Sequence, residues 1–259
     1  MKPTRLHDPL MQVLFENDEI VAVDKPYGIS SHTNESKAGN EDSIQHGLIE
    51  LYERHLGKKL HIIHRLDRTT TGVIVFAKTL EAATKFQSYF RARETEKTYQ
   101  FVTRTKISRV ELKSNQPILS KGAELEAETS FTRLAQGRSL DLWEARPRSG
   151  RKHQIRIHAA ALGIPILGDT EYGGSSYPFI CLHDVSIRFP GELKISSKPP
   201  VYFEHLDWLD EEWFATMLFE IDRRRRMFGT EATPLRLAPG LDLYGDRVVI
   251  AEGGGSGFD

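Results

Sequence analysis

The stretch HIIHRLDRTTTGVIVFAK, residues His61 to Lys78, places one acid, Asp67, between Arg65 and Arg68. Asp67 is the only carboxylate from Arg54 to Lys78, where Lys58, Lys59 and Lys78 add further positive charge. An acid so surrounded is expected to be ionised, and to serve either as a salt-bridge hub or as a nucleophile. Directly after it, GVIVFA is apolar without alternation and rich in β-branched residues. That pattern predicts a strand buried on both faces.

Working outward, Ile20 to Val23 reads as a short strand entering a turn at Pro26 and Gly28. Ile44, Leu48 and Leu51 recur at helical spacing, and Gly57 stops that helix. Thr79 can cap a helix that carries Phe86 and Phe90 on one face. TYQFVT, ETSFTRL and SLDLWEA read as strands, His153 to Leu162 as a helix, Cys181 to Phe189 as a strand, and GELKISSKPP as a proline-bounded exit. The sum predicts an α+β domain, residues 1–203, with a mostly antiparallel mixed sheet flanked by helices. Residues 204–259 form a C-terminal extension. Its apolar stripe from Trp208 to Ile221 predicts a helix, followed by Arg223 to Arg226, and its end predicts a small hairpin and a tail.

The 259 residues, 39% hydrophobic and 27% charged, give ordinary globular composition. Net charge is −1, so no overall basic excess points to nucleic acid, yet Arg146 to Leu167 again lacks any acid, and local patches matter more than the sum. One cysteine, Cys181, excludes an internal disulfide and fits a reducing compartment. No signal core or membrane-length apolar run occurs. These features predict a cytoplasmic protein, expected to be monomeric.

The clusters narrow the chemistry. His61, His64, His153 and His158 lack a ligand signature, and adjacent arginines would repel a cation, so no metal is expected. A two-metal nuclease needs several carboxylates where these segments offer only Asp67. No phosphate-binding glycine loop leads into a helix. Cys181, in an apolar run, reads as core. A carboxylate nucleophile in an anion-attracting groove remains.

HRLDRTTTGVIVFAK resembles the catalytic motif of the RluA-type RNA pseudouridine synthases. VAVDKPYGISSH, KTYQFV, GRKHQIRIHAAALGIPILGDTEYG and FICLHDVSIRFP match further stretches of that family in order, from about Ile20 to Pro200. The resemblance implies isomerisation of uridine to pseudouridine in ribosomal or transfer RNA, ribosomal favoured, without cofactor or metal. It assigns Asp67 as nucleophile, Tyr99 as the aromatic that stacks on uracil and takes the C5 proton, and Arg156 as the base paired with Asp67. Arg65 would fill the gap left by the flipped base, since a guanidinium is planar enough to stack there. Arg68 reads as a phosphate contact or surface residue, and Lys25, Lys152 and His153 as phosphate or positioning contacts. His64 and His158 read as hydrogen-bonded scaffold. The sequence departs from the family at Thr71, where serine is frequent, and at Asp184, where alanine is common; Asp184 is expected at the edge of the core, away from the site. The N-terminus leaves too little chain for an S4 RNA-binding domain, so RNA selection is expected from the catalytic domain's loops or the extension.

Overall fold

A computed structural model describes residues 12–32 and 47–200, Phe203 and Leu206, and the backbone of residues 241–242 and 249–250. The continuous apolar run after Asp67 becomes β4 (Thr71–Ala77), every residue of which is buried. Its residues alternate between two cores. Ile74 and Phe76 join one, with Leu48, Tyr52, Ile155 and Ala159. Val73, Val75 and Ala77 join the other, with Ala82 and Phe86. A strand covered on both faces has no polar side to show, which explains the absence of alternation.

The helices that cover it are α1 (Leu48–Leu56), α2 (Leu80–Arg91) and α3 (Gln154–Ala161). Gly57 ends α1 in the left-handed conformation, φ 63°, and Thr79 caps α2 by accepting a hydrogen bond from the Ala82 amide. Helices α1 and α3 pack on one face of the sheet and α2 on the other.

The sheet also contains β1 (Val13–Glu16), β2 (Ile20–Lys25), β3 (His61–Ile62), β5 (Glu96–Thr103), β6 (Glu111–Ser114), β9 (Thr129–Gln136), β10 (Asp141–Pro147), β11 (Leu182–Arg188) and β12 (Lys194–Ser196). Between β6 and β9, β7 (Ile118–Ser120) and β8 (Ala123–Leu125) pair separately with each other. The main order is β1-β2-β4-β11-β5-β10-β9-β6, with β3 paired to β4 and β12 to β11. Among the described strands the pairings are antiparallel except β11 with β4, which run parallel at His183↔Thr71 and Asp184↔Gly72. Gly72 makes that join possible: its φ is +109°, and a Cβ there would lie 2.1 Å from the Asp184 carbonyl oxygen.

Within GELKISSKPP lies β12. Cys181 is fully buried, as core. β13 (Leu241–Asp242) and β14 (Val249–Ile250) pair antiparallel. Ile44, the stripe from Trp208 to Ile221 and the run Arg223 to Arg226 lie outside the described residues. No helix of the described residues is long and apolar enough to cross a membrane.

Candidate active site

Asp67 stands in the loop joining β3 to β4, and buried partners from the segment after β2 hold that loop. Ser31 Oγ donates to the Leu66 carbonyl at 2.9 Å and accepts from the Leu66 amide at 3.1 Å. The Gly28 amide donates to the Arg68 carbonyl at 2.9 Å, and Arg68 Nε returns a bond to the Gly28 carbonyl at 2.9 Å. Lys25 Nζ donates to the carbonyls of Pro26, Arg68 and Thr70 at 3.0, 3.0 and 2.7 Å. His64 packs on the Phe90 ring and accepts from the Val75 amide at 3.0 Å, tying the loop to β4. Burial lowers the His64 pKa to about 3, so this histidine is a neutral acceptor. The polypeptide thus presents Asp67, about a third exposed, from a backbone with little freedom.

Of the two roles expected for Lys25, a phosphate contact or a positioning one, its surroundings suit only the second. Its side chain has no exposure, and its three donors are committed to carbonyls. Burial lowers its pKa to about 7, against the pull of Asp67 in the other direction. Lys25 is the last residue of β2, a strand buried at every position.

A cavity of about 1280 Å³ opens above Asp67. Arg65, Arg68, Arg91, Arg93, Arg151 and Lys152 line it, among other residues. Arg65, Arg68 and Lys152 are exposed at its wall. Arg91, Arg93 and Arg151 were not singled out from the sequence; the RAR repeat between α2 and β5 was the available signal. A recess of about 80 Å³ continues below, where Asp67, Lys97, Tyr99, His153 and Arg156 meet. Lys97 and Tyr99 come from β5, and His153 and Arg156 from the start of α3, far from Asp67 in the chain.

The pairing expected for Arg156 is different in the structure. Its guanidinium closes on Asp169, with Nε donating to Oδ2 at 2.7 Å and Nη2 to Oδ1 at 2.6 Å, and Nη2 also reaches Glu171 Oε2 at 2.9 Å. The Tyr172 ring lies 4.8 Å from the same guanidinium. Asp67 has instead His153, whose Nε2 is 3.8 Å from Oδ1. His153 is at the start of α3 in the left-handed conformation, φ 56°, and its Nδ1 is 2.9 Å from the Tyr172 hydroxyl. Burial lowers the His153 pKa, with Asp67 opposing. The GDTEYG loop, read only as part of a motif, is what supplies both acids to Arg156.

Tyr99 is buried on β5 with its ring among the recess residues. Burial raises its pKa well above that of a free phenol, and Asp184 and Asp67 raise it further. Asp184 is thus not apart from the site. It is fully buried, directly opposite Tyr99 in the β11–β5 register. Burial pushes its carboxyl well above the usual range, while the Tyr99 hydroxyl and Lys97 oppose that push. The register of β11 shifts just after it, between Asp184 and Ser186.

The other histidines do not converge. His158 lies between Thr129 Oγ1 and the Gln116 carbonyl, 2.9 Å from each. Among the described residues no group of three or more His, Cys, Asp or Glu is arranged to hold a metal ion.

A carboxylate beneath a wall of arginines, with a phenol and a buried guanidinium beside it, suits covalent chemistry on a flat, polyanionic substrate. Comparisons with known proteins agree. The family model described as RNA pseudouridylate synthase matches residues 19–161. The chain is 33% identical over 179 residues to the pseudouridylate synthase RPUSD2 of Homo sapiens, an alignment covering 64% of this chain and only 32% of that protein. It is 31% identical over 214 residues to the ribosomal large subunit pseudouridine synthase C of Rickettsia conorii, covering 74% of this chain and 69% of that one. Among solved structures, Human RNA Pseudouridylate Synthase Domain Containing 4 superposes with a TM-score of 0.61 at 26% identity, covering 76% of this chain and 92% of that chain.

Proposed function

Because this chain belongs to the RNA pseudouridylate synthase family, we propose that it isomerises specific uridines in structured RNA to pseudouridine, with Asp67 as nucleophile. The observation that carries the proposal is Asp67 itself: a partly exposed carboxylate on a loop anchored at Ser31, Gly28 and Lys25, under an arginine-lined cavity. A pure RNA-binding module gains nothing from an anion at that point, since it repels the phosphate backbone.

In this proposal Arg68, Lys152 and their neighbours hold phosphates, and the target nucleotide leaves its stack to reach the recess. Arg65, exposed at the wall, takes the vacated place. An Asp67 carboxylate oxygen bonds to C1′ as the N1–C1′ bond breaks; the uracil turns, and C5 bonds to C1′ as the Asp67–C1′ bond breaks, which returns the carboxylate. The proton on C5 then departs and N1 gains one. Tyr99 offers a ring for stacking and an oxygen near the uracil. Arg156 supplies positive charge to the recess and, through Asp169 and Glu171, fixes the residues that hold His153. His153 steadies the Asp67 carboxylate.

The favoured substrate is ribosomal RNA, with transfer RNA as the alternative, and residues 1–203 carry the chemistry. The reaction runs in the cytoplasm, in a monomer, without metal or cofactor. Mapping pseudouridines by carbodiimide primer extension, in cells with and without this gene, tests the assignment and identifies the uridine. Loss of one or a few defined stops is expected, restored by the wild-type gene and not by Asp67→Asn. Identical maps would refute it.

A further inference from the structure

We propose that Asp184 is a positioning residue for the same isomerisation: it receives the Tyr99 hydroxyl proton while Tyr99 takes the proton from C5. The inference rests on the pseudouridine synthase reading of the site, and it starts from an unusual packing fact. Asp184 is fully buried, and its carboxyl oxygens make no well-formed hydrogen bond among the described residues, the Tyr99 hydroxyl being the group that acts on them. A buried polar group left so is destabilising, and native proteins retain few of them. Nothing in the scaffold requires it. The strand pairings at this point are made by backbone, and the Gly72 join involves only Asp184 backbone atoms.

The placement is specific. Asp184 and Tyr99 are direct partners across antiparallel strands, which puts their side chains on one face about one side chain apart. Lys97, two residues from Tyr99 on β5, shares that face, lines both the cavity and the recess, and reaches the Ser149 carbonyl at 3.4 Å. The bulge after Asp184 turns β11 at this residue. Other ionisable neighbours are few: β4 presents Gly72, which has no side chain, and the recess adds Asp67 from the loop, with His153 and Arg156 from α3.

The chemistry explains why a second acceptor is useful. After the C5–C1′ bond forms, the C5–H bond must break and its electron pair restore the C5=C6 double bond. A phenol held neutral by burial and by two nearby acids does not ionise beforehand. Its oxygen can take the C5 proton if its own O–H proton passes at the same time to an Asp184 carboxylate oxygen. Tyr99 ends unchanged and Asp184 ends as the acid. Lys97, which favours the ionised form of Asp184 and borders the cavity, releases one ammonium proton to the cavity water and then takes the proton from Asp184, which returns both groups to their starting state.

The test uses the full chain and RNA labelled with 5-tritiated uridine, extracted from cells lacking this gene. Tritium release is followed under single turnover from pH 5.5 to 9. Asp184→Asn, of the same shape, should melt no lower than wild type and bind the RNA as tightly, yet release tritium at least tenfold more slowly. Its rate should lose the rise with pH that ionisation of Asp184 gives the wild type. Combined with Tyr99→Phe, it should slow the reaction no further than Tyr99→Phe alone. Should Asp184→Asn fail to fold, Asp184→Ala and its combination with Tyr99→Phe supply the same comparison. Release within twofold of wild type with an unchanged pH profile overturns the inference, as does an equal slowing in the wild-type and Tyr99→Phe backgrounds. No release by the wild-type chain removes the function reading and this inference together.

Discussion

The partner of Arg156 can be decided by stability alone, before any RNA is identified. Arg156 is 5% exposed and Asp169 1% exposed, so the charges are out of water and rely on each other. Removing one partner of a buried pair strands the other, typically at about 3–5 kcal/mol. Glu171, mostly exposed, still reaches Nη2 at 2.9 Å and holds part of the charge in place, which puts Asp169→Asn at the lower end, about 3 kcal/mol. For a domain of this size that is a fall in melting temperature of about 6–12 °C. Asp67→Asn should behave differently. Its carboxylate is about a third exposed and its nearest basic group is the His153 ring nitrogen 3.8 Å away, so the loss should stay below about 1 kcal/mol. Urea unfolding of the wild type and both variants, followed by circular dichroism, gives the two differences directly. If Asp67→Asn costs 3 kcal/mol and Asp169→Asn almost nothing, Arg156 is paired with Asp67 and the description of the recess is wrong.

Tyr99→Phe should keep RNA binding within a few-fold, because stacking survives, while tritium release falls by about 10²-fold, the usual effect of losing a general base; release near the wild-type rate would leave Tyr99 a stacking platform. Gly72→Ala should be among the most damaging single changes outside the site, giving insoluble protein or a melting temperature at least 10 °C lower, roughly the effect of losing several kcal/mol; a well-folded variant would mean β4 and β11 do not approach as described. His64 has a folded pKa of about 3 against 6.5 when unfolded, so its contribution is complete above pH 6.5 and fades as pH falls towards 3; urea unfolding across that window should show a shallower pH slope for His64→Gln, and an unchanged slope would place His64 in contact with water.

How much of this was legible in the sequence depends on the distance over which each feature is decided. Thr79, Gly57 and the run after Asp67 act within a turn or a strand, and the elements they predict are present. β1, β3 and β12 were missed because strands of two to four residues at an edge carry too few side chains to show a period. In the site, Asp67, Tyr99 and Arg156 do share one recess, yet which acid takes the arginine depended on how the loop after α3 folds back. Asp169 is thirteen residues from Arg156, and no local pattern distinguishes it from Asp67. Sequence alone did not separate the two roles of Lys25, because a lysine beside a turn is usually a surface residue, whereas here the turn is roofed by the Asp67 loop. Asp184 was misread because burial of an acid has no sequence signature.

The position of β11 bears on how the chain is made. Although it is the last long strand of the domain, it lies between β4 and β5, which were synthesised some eighty residues or more before it. Until residues 182–188 emerge, β1 to β4 and β5 to β10 can form only two separate half-sheets, each ending in a bare edge of unsatisfied amides and carbonyls. Such edges recruit other chains, and pairing over this distance is slow. During translation the protein is thus a pair of sticky halves, and Asp67 and Tyr99 belong to different ones. The arrival of one seven-residue strand closes both edges and, in the same act, first brings the two residues to a common site.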